Sequence, residues 1–285
     1  MALDAKRFEG TPAAFGVRAL CTGVDAHAHV IRRGYRMVKD RRYTPDYDAT
    51  VEQYLAHLDA NGFSHGLLVQ PSFYGTDNGC LLDALRIGGA QLKGVAVVDP
   101  DISEHEMWSL EALGIVGVRL NLIGKEIPRF DAEPWPTFFR RAAKLAWHVE
   151  VQCPSAKLPG VVEPILACGV DLVIDHFALP DPLRGVNDPA FRAFLAYGRR
   201  RNVWVKISAH YRAGAQSVAL AAYPMLRDAV GLTRLIWGSD WPHTNFEHAQ
   251  DYAGNRAFLE RMVPQAAERA VILIDNPWAL FRFAG

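Results

Sequence analysis

Apolar runs of strand length alternate along this chain with longer stretches in which apolar residues recur every three or four positions, and turn residues separate the two. A short continuous apolar run reads as a strand buried on both faces; the slower rhythm reads as a helix with one buried face. Strands are predicted over 22–29, 65–70, 94–98, 116–121, 147–152, 171–176, 203–208 and 235–239. Helices are predicted over 49–61, 77–88, 103–113, 135–146, 159–168, 189–200, 216–230 and 248–261, with Asp77 capping the second. Eight strands, each followed by a helix, predict a parallel (β/α)8 TIM barrel of the α/β class. No Gly-, Ser- or Pro-rich linker interrupts the series, so residues 1–285 are expected to form one domain. The closing stretch 266–283 is expected to add helical packing at the barrel's base.

In such barrels the reactive groups sit at the carboxyl ends of the strands. That rule collects His27 and His29 from the first strand, Arg119 from the fourth, Gln152 from the fifth, His176 from the sixth and Asp240 from the eighth. Lys206, Ser208 and Arg212 gather around the seventh. Side chains two apart on a strand share a face, so His27 and His29 present their imidazoles together. Such a pair is half of a metal site, a polar cluster for a reacting carbonyl, or two histidines of no special role. Asp240 is a general base or a helix cap. Arg119, Lys125 and Arg212 suit an anionic substrate, because a guanidinium fork matches a carboxylate. Tyr43, Ser72, Tyr74 and Asn78 stand in loops over the same face, as substrate donors or as turn residues. Lys206 is either paired inside the barrel or in contact with substrate. His243 orients Asp240 or closes a turn, and His210 lies near Arg212 at the mouth.

The chain carries 31 basic and 31 acidic residues. That balance, without a Lys/Arg block, leaves no footprint for nucleic acid or an anionic membrane, so a small anionic substrate is the expected partner, with homo-oligomerisation left open. The absence of a basic leader and of an apolar stretch of roughly 20 residues sets the expectation of a cytoplasmic protein. Cys21, Cys80, Cys153 and Cys168 are scattered without C-x-x-C spacing, which predicts reduced thiols; Cys153, at a strand end, is the one nearest the chemistry.

Seven strings carry a family resemblance: DAHAH around His27 and His29, RYTP at Arg42 to Pro45, QPSFYGTDN from Gln70, GVRLN around Arg119, VIDH ending at His176, VKIS around Lys206 and WGSDWPH around Asp240. Through nearly its whole length the chain resembles the amidohydrolase superfamily, amidohydrolase-2 type. The resembling branch holds 2-pyrone-4,6-dicarboxylate lactonase, sugar-lactone hydrolases and related metal-independent enzymes. The resemblance implies a lactone hydrolase in aromatic-acid or acid-sugar breakdown, with Asp240 as the base that activates water. It implies that His27, His29 and His176 polarise the carbonyl, either directly with no cofactor or, with Asp240, by holding one divalent metal ion (Zn or Mn). Arg119, Lys125 and Arg212 match cationic substrate contacts, with Tyr43, Ser72, Asn78 and Gln152 as further binding candidates. The branch's arginine after the sixth-strand histidine is absent from His176-Phe177-Ala178-Leu179-Pro180-Asp181, and Gln152 replaces a tyrosine. Both departures favour a lactone with fewer charges. The alternatives are a zinc-dependent decarboxylase of an aromatic or muconic acid, a sugar-lactone isomerase, and a small-acid binding protein without turnover.

Overall fold

The computed structural model describes residues 21–283. Its eight strands are β1 (Val24–Ala28), β2 (His65–Val69), β3 (Leu92–Ala96), β4 (Ile115–Asn121), β5 (His148–Gln152), β6 (Asp171–Ile174), β7 (Val203–Lys206) and β8 (Leu235–Ile236). They pair in parallel and in chain order. The ring closes between β8 and β1 through Ala26 N to Trp237 O at 2.9 Å, Asp240 N to His27 O at 2.8 Å and His29 N to Trp241 O at 2.7 Å. Gly238 permits that closure: a Cβ there would lie 2.4 Å from His27 N and 2.5 Å from His27 Cβ. The expected TIM barrel is therefore the fold.

Outside the ring lie α1 (Val51–Ala60), α2 (Gly79–Gly88), α3 (Glu104–Ala112), α4 (Trp135–Lys144), α5 (Pro159–Leu166), α6 (Pro189–Phe194), α7 (Gln216–Val230) and α8 (Tyr252–Met262). Capping boxes start α1 at Thr50 and α3 at Ser103, each side-chain oxygen meeting the backbone three residues on. Asp77 does bond the start of α2, accepting from Gly79 N at 3.1 Å. The strand expected at 94–98 sits two residues earlier. The helix expected from 248 begins only at Tyr252, where Asp251 caps Gly254 N at 2.7 Å. The intervening turn is occupied by left-handed residues Asp240, His243 and Asn245. As expected, the end of the chain plugs the base: α9 (Ala266–Ala270) and α10 (Asn276–Phe281) bring Leu280, Phe281 and Phe283 against Val24, Ala26, Leu67, Val116 and Ile236 inside the barrel. Burying each such side chain contributes about 1.5–3 kcal/mol.

Two bulges aim the polar residues. Asp25 pairs with Gly66 but Ala28 with Leu68, and Gly94 pairs with Ile115 but Val95 with Gly117, so β1 and β4 each carry one extra residue. Each extra residue reverses the alternation. Val24 and Ala26 face the barrel interior while Ala28 faces the helices; Val116 faces inward and Val118 outward. His27, His29 and Arg119 are thereby turned toward the barrel axis. Among the described residues no helix is long and apolar enough to cross a membrane.

Candidate active site

Four groups that the sequence scatters from position 27 to position 240 meet at the carboxyl end of the barrel. Asp240 Oδ1 lies 3.6 Å from His27 Nε2, 3.6 Å from His29 Nε2 and 4.0 Å from His176 Nε2. Asp240 (φ 58°) and His176 (φ 51°) both hold left-handed backbone, which costs on the order of 1–2 kcal/mol for a residue bearing a Cβ. Asp25 braces the β8 turn against this strain. Its carboxylate accepts from Ser239 N at 2.7 Å, Ser239 Oγ at 2.7 Å and Tyr252 OH at 2.9 Å.

The two oxygens of Asp240 have different company. Oδ2 accepts from Tyr211 OH and Arg212 Nε, both at 2.6 Å. Oδ1 has no hydrogen-bond partner and faces the three imidazoles. Burial pushes this carboxyl's pKa up, but Arg212 and the imidazoles outweigh burial and hold it well below the usual carboxylate range. Burial lowers His176 to about 4, and burial together with Lys206 lowers His27 well below an ordinary imidazole. Both rings are neutral at pH 7. His27 Nε2, His176 Nε2 and Asp240 Oδ1, all buried and without hydrogen-bond partners, lie within 4.8 Å of one another. Two imidazoles and a carboxylate are a donor set that fits one divalent ion.

Above them opens a cavity of about 450 Å³, with His29 and Asp240 in its wall and Tyr43, Ser72 and three arginines around it, Arg42, Arg119 and Arg212. Arg119 Nη2 donates to Gln152 Oε1 at 2.7 Å, which also accepts from Asn121 Nδ2 at 3.0 Å. Arg42 reaches Asn121 Oδ1 at 3.4 Å. Three like charges around one polar cavity, over a carboxylate and neutral imidazoles, make a receptor for an anion beside a centre for acid-base chemistry.

The amidohydrolase family model matches residues 24–283. This chain belongs to the amidohydrolase family. A 2-pyrone-4,6-dicarboxylate hydrolase of Comamonas testosteroni is 33% identical over 90% of this chain and 89% of its own length. A 4-sulfomuconolactone hydrolase of Hydrogenophaga intermedia is 26% identical over 90% of this chain and 88% of its own. Among solved structures, a probable 2-pyrone-4,6-dicarboxylic acid hydrolase of Acinetobacter baumannii with citric acid bound is 39% identical, with a TM-score of 0.89 over 92% of this chain and 99% of that one.

Not every sequence candidate reaches the cavity of this amidohydrolase. Asn78 does not: its amide donates to Val97 O at 2.9 Å and Thr76 O at 3.1 Å and accepts from Val97 N at 3.0 Å, tying α2 to the end of β3. Lys125 is exposed and outside the cavity wall, in a turn where its N donates to Leu122 O at 3.2 Å. Tyr43 lines the cavity, but its hydroxyl is bound to Glu247 at 2.6 Å, which latches the loop after β1 to the loop after β8. Tyr74 is buried, its hydroxyl donating to Arg32 O at 2.7 Å. His210 lies outside the cavity wall, stacked on Phe258 with ring centroids 4.1 Å apart. His243 closes the turn after β8, its backbone N donating to Asp240 O at 2.7 Å, and its ring meets Tyr211 OH at 3.3 Å. Burial raises the Cys153 thiol to about 12, which makes it inert.

Sequence reasoning passed over Arg42, Asn121 and Tyr211 in the cavity, and Glu150 and Asp175 beneath it. Lys206 is fully buried and paired with both of those carboxylates, bonded to Glu150 Oε2 and 3.7 Å from Asp175 Oδ1. Arg42 was visible in the RYTP string, and Glu150 as a lone charge between Val149 and Val151.

Proposed function

We propose that this amidohydrolase hydrolyses the ring ester of a carboxylated lactone, of the 2-pyrone-4,6-dicarboxylate or acid-sugar type. One observation carries the reading: Asp240 spends Oδ2 on Tyr211 and Arg212 and keeps Oδ1 bare among three imidazole Nε2 atoms, at the edge of an arginine-rimmed cavity. A water at Oδ1 gives its proton to Asp240, and the hydroxide attacks the ring carbonyl. His27 and His176 stabilise the oxyanion as it forms, while His29, its ring N–H given to Val69 O, flanks Oδ1. The ring C–O bond then breaks, and the departing alcohol or enol oxygen receives the proton from Asp240. A lactone is an ester with a competent leaving group, so donors alone can suffice.

Arg119, Arg42 and Arg212 orient the substrate's carboxylates. Arg42 adds a third cation at the cavity rim, so the cavity suits one carboxylate or two. Asp240 is ionised but weakly basic while Arg212 binds it. A substrate carboxylate that shares Arg212 loosens this hold and raises the basicity of Oδ1 when substrate arrives. Bound by His27, His176 and Asp240, a divalent ion would supply Lewis-acid polarisation.

The likeness to a lactone hydrolase at 33% identity and to a citrate-bound structure at 39% supports an anionic lactone. The test is proton release from 2-pyrone-4,6-dicarboxylate, muconolactones and aldonolactones, with and without chelator. Ring opening of a carboxylated lactone that survives chelation is expected; failure to consume any of them overturns the reading. A second reading, a metal-dependent decarboxylase, draws on the same buried His27, His176 and Asp240. Stoichiometric bound metal with release of CO2 would favour it.

A further inference from the structure

Beneath Asp240 the barrel interior holds Arg119, Glu150, Asp175 and Lys206, none more than 5% exposed. Lys206 Nζ bonds Glu150 and lies 3.0 Å from His27 Nδ1. The same ring nitrogen is 3.4 Å from Glu150 Oε1 and 3.4 Å from Asp175 Oδ1, two oxygens that have no hydrogen-bond partner. Three neighbours therefore compete for Nδ1. The ammonium is the closest and only donates, so Nδ1 must present its lone pair. That excludes the imidazolium and places the ring's proton on Nε2, facing Asp240 Oδ1 at 3.6 Å.

Two residues away the pattern reverses. His29 Nδ1 lies 2.7 Å from Val69 O, which only accepts, so Nδ1 carries a proton and its N–H is spent there, away from the centre. The His29 pattern is the one that metal-binding histidines use, with the far nitrogen donating to a carbonyl or carboxylate. We propose that Lys206 is a positioning residue that holds His27 in the Nε2–H tautomer, so that this imidazole serves the centre as a hydrogen-bond donor rather than a metal ligand. The value of that donor to an oxyanion rests on the lactone reading; the tautomer itself does not.

A dication at the cluster would have to strip Nε2 and move its proton to Nδ1, where Lys206 already stands. Without Lys206, Glu150 Oε1 and Asp175 Oδ1 are in place to accept from Nδ1–H and complete a carboxylate–histidine–metal arrangement. The fold family's capacity for metal is therefore kept in the donor set and opposed from below by one amine.

The test uses the chelator-treated full chain with nitrogen-15-labelled histidines, His27 signals being assigned by their loss in His27→Gln. Two-bond nitrogen–proton correlations should report His27 protonated at Nε2 and His29 at Nδ1. A His27 proton on Nδ1, or on both nitrogens, overturns the proposal. In parallel, zinc titration of Lys206→Met should show binding about 10–100-fold tighter than in the unsubstituted chain; equal affinity overturns it. Where Lys206→Met does not fold, the spectra decide alone. Neither readout uses a substrate, so an unsuccessful lactone screen leaves both standing.

Discussion

The mouth and the floor of this barrel carry charge in opposite ways. At the mouth Arg42, Arg119 and Arg212 crowd together, and burial plus the other two guanidiniums lower the pKa of Arg42. In the floor Glu150 and Asp175 face Lys206, and Arg119 reaches down from the mouth to bring the balance to two charges against two, with contacts of 3.6 Å from Arg119 to Asp175 and 3.7 Å from Lys206 to Asp175. A cluster of like charges is incomplete until an anion joins it, whereas a balanced network is finished when the chain folds. The mouth is thus organised for binding and the floor for setting the chemistry, with Asp240 and the imidazoles between them.

Four substitutions separate the two layers. At the junction, Asp240→Asn keeps the shape and removes the base, so kcat should fall by about 10²- to 10⁴-fold with substrate binding retained; steady-state kinetics beside calorimetric binding would measure both. In the floor, Glu150→Gln should cost about 3–5 kcal/mol in urea unfolding, because Lys206 loses its nearest partner while fully buried. The pH dependence has a definite sign. Burial and Asp175 push the Glu150 carboxyl up, but Lys206 prevails and holds it at about 2, against 4.5 for a free glutamate. The unfolded state therefore binds the proton first on acidification. Glu150's contribution is complete above pH 4.5 and vanishes toward pH 2, so the variant's deficit should shrink over that window.

At the mouth, Arg42→Gln should raise KM by about 10-fold with kcat and unfolding midpoint nearly unchanged, since one charged contact to an exposed arginine is lost. A large loss of stability there would erase the distinction between the layers. The smallest effect is expected for Tyr211→Phe, a fall in kcat of about 3- to 10-fold, because Arg212 still holds Asp240 Oδ2. Removing a donor to the charged form raises the carboxyl's pKa, so the acid limb of the pH–rate profile should move upward.

Much of this arrangement can be read from the chain alone. Eight apolar runs are enough to predict the barrel, and the rule that reactive groups sit at strand ends brings His27, His29, His176 and Asp240 to one place before any coordinates. What escapes is whatever leaves no mark on hydropathy. The extra residues in β1 and β4 look like ordinary strand, yet they decide that His27 and Arg119 face the axis. Lys125 lies close to a strand end in sequence and still falls outside the cavity, because a turn intervenes. Glu150 sits inside an apolar run as a charge with no evident destination; asking where its partner is would have led to Lys206.

The most direct test of the central claim is ring opening of 2-pyrone-4,6-dicarboxylate by the chelator-treated protein in oxygen-18 water. Attack on the ring carbonyl by water activated at Asp240 predicts one oxygen-18 atom in the newly formed carboxylate and none at the oxygen that leaves the ring. Label at the leaving oxygen, an isomerised lactone without label, or loss of CO2 would contradict it.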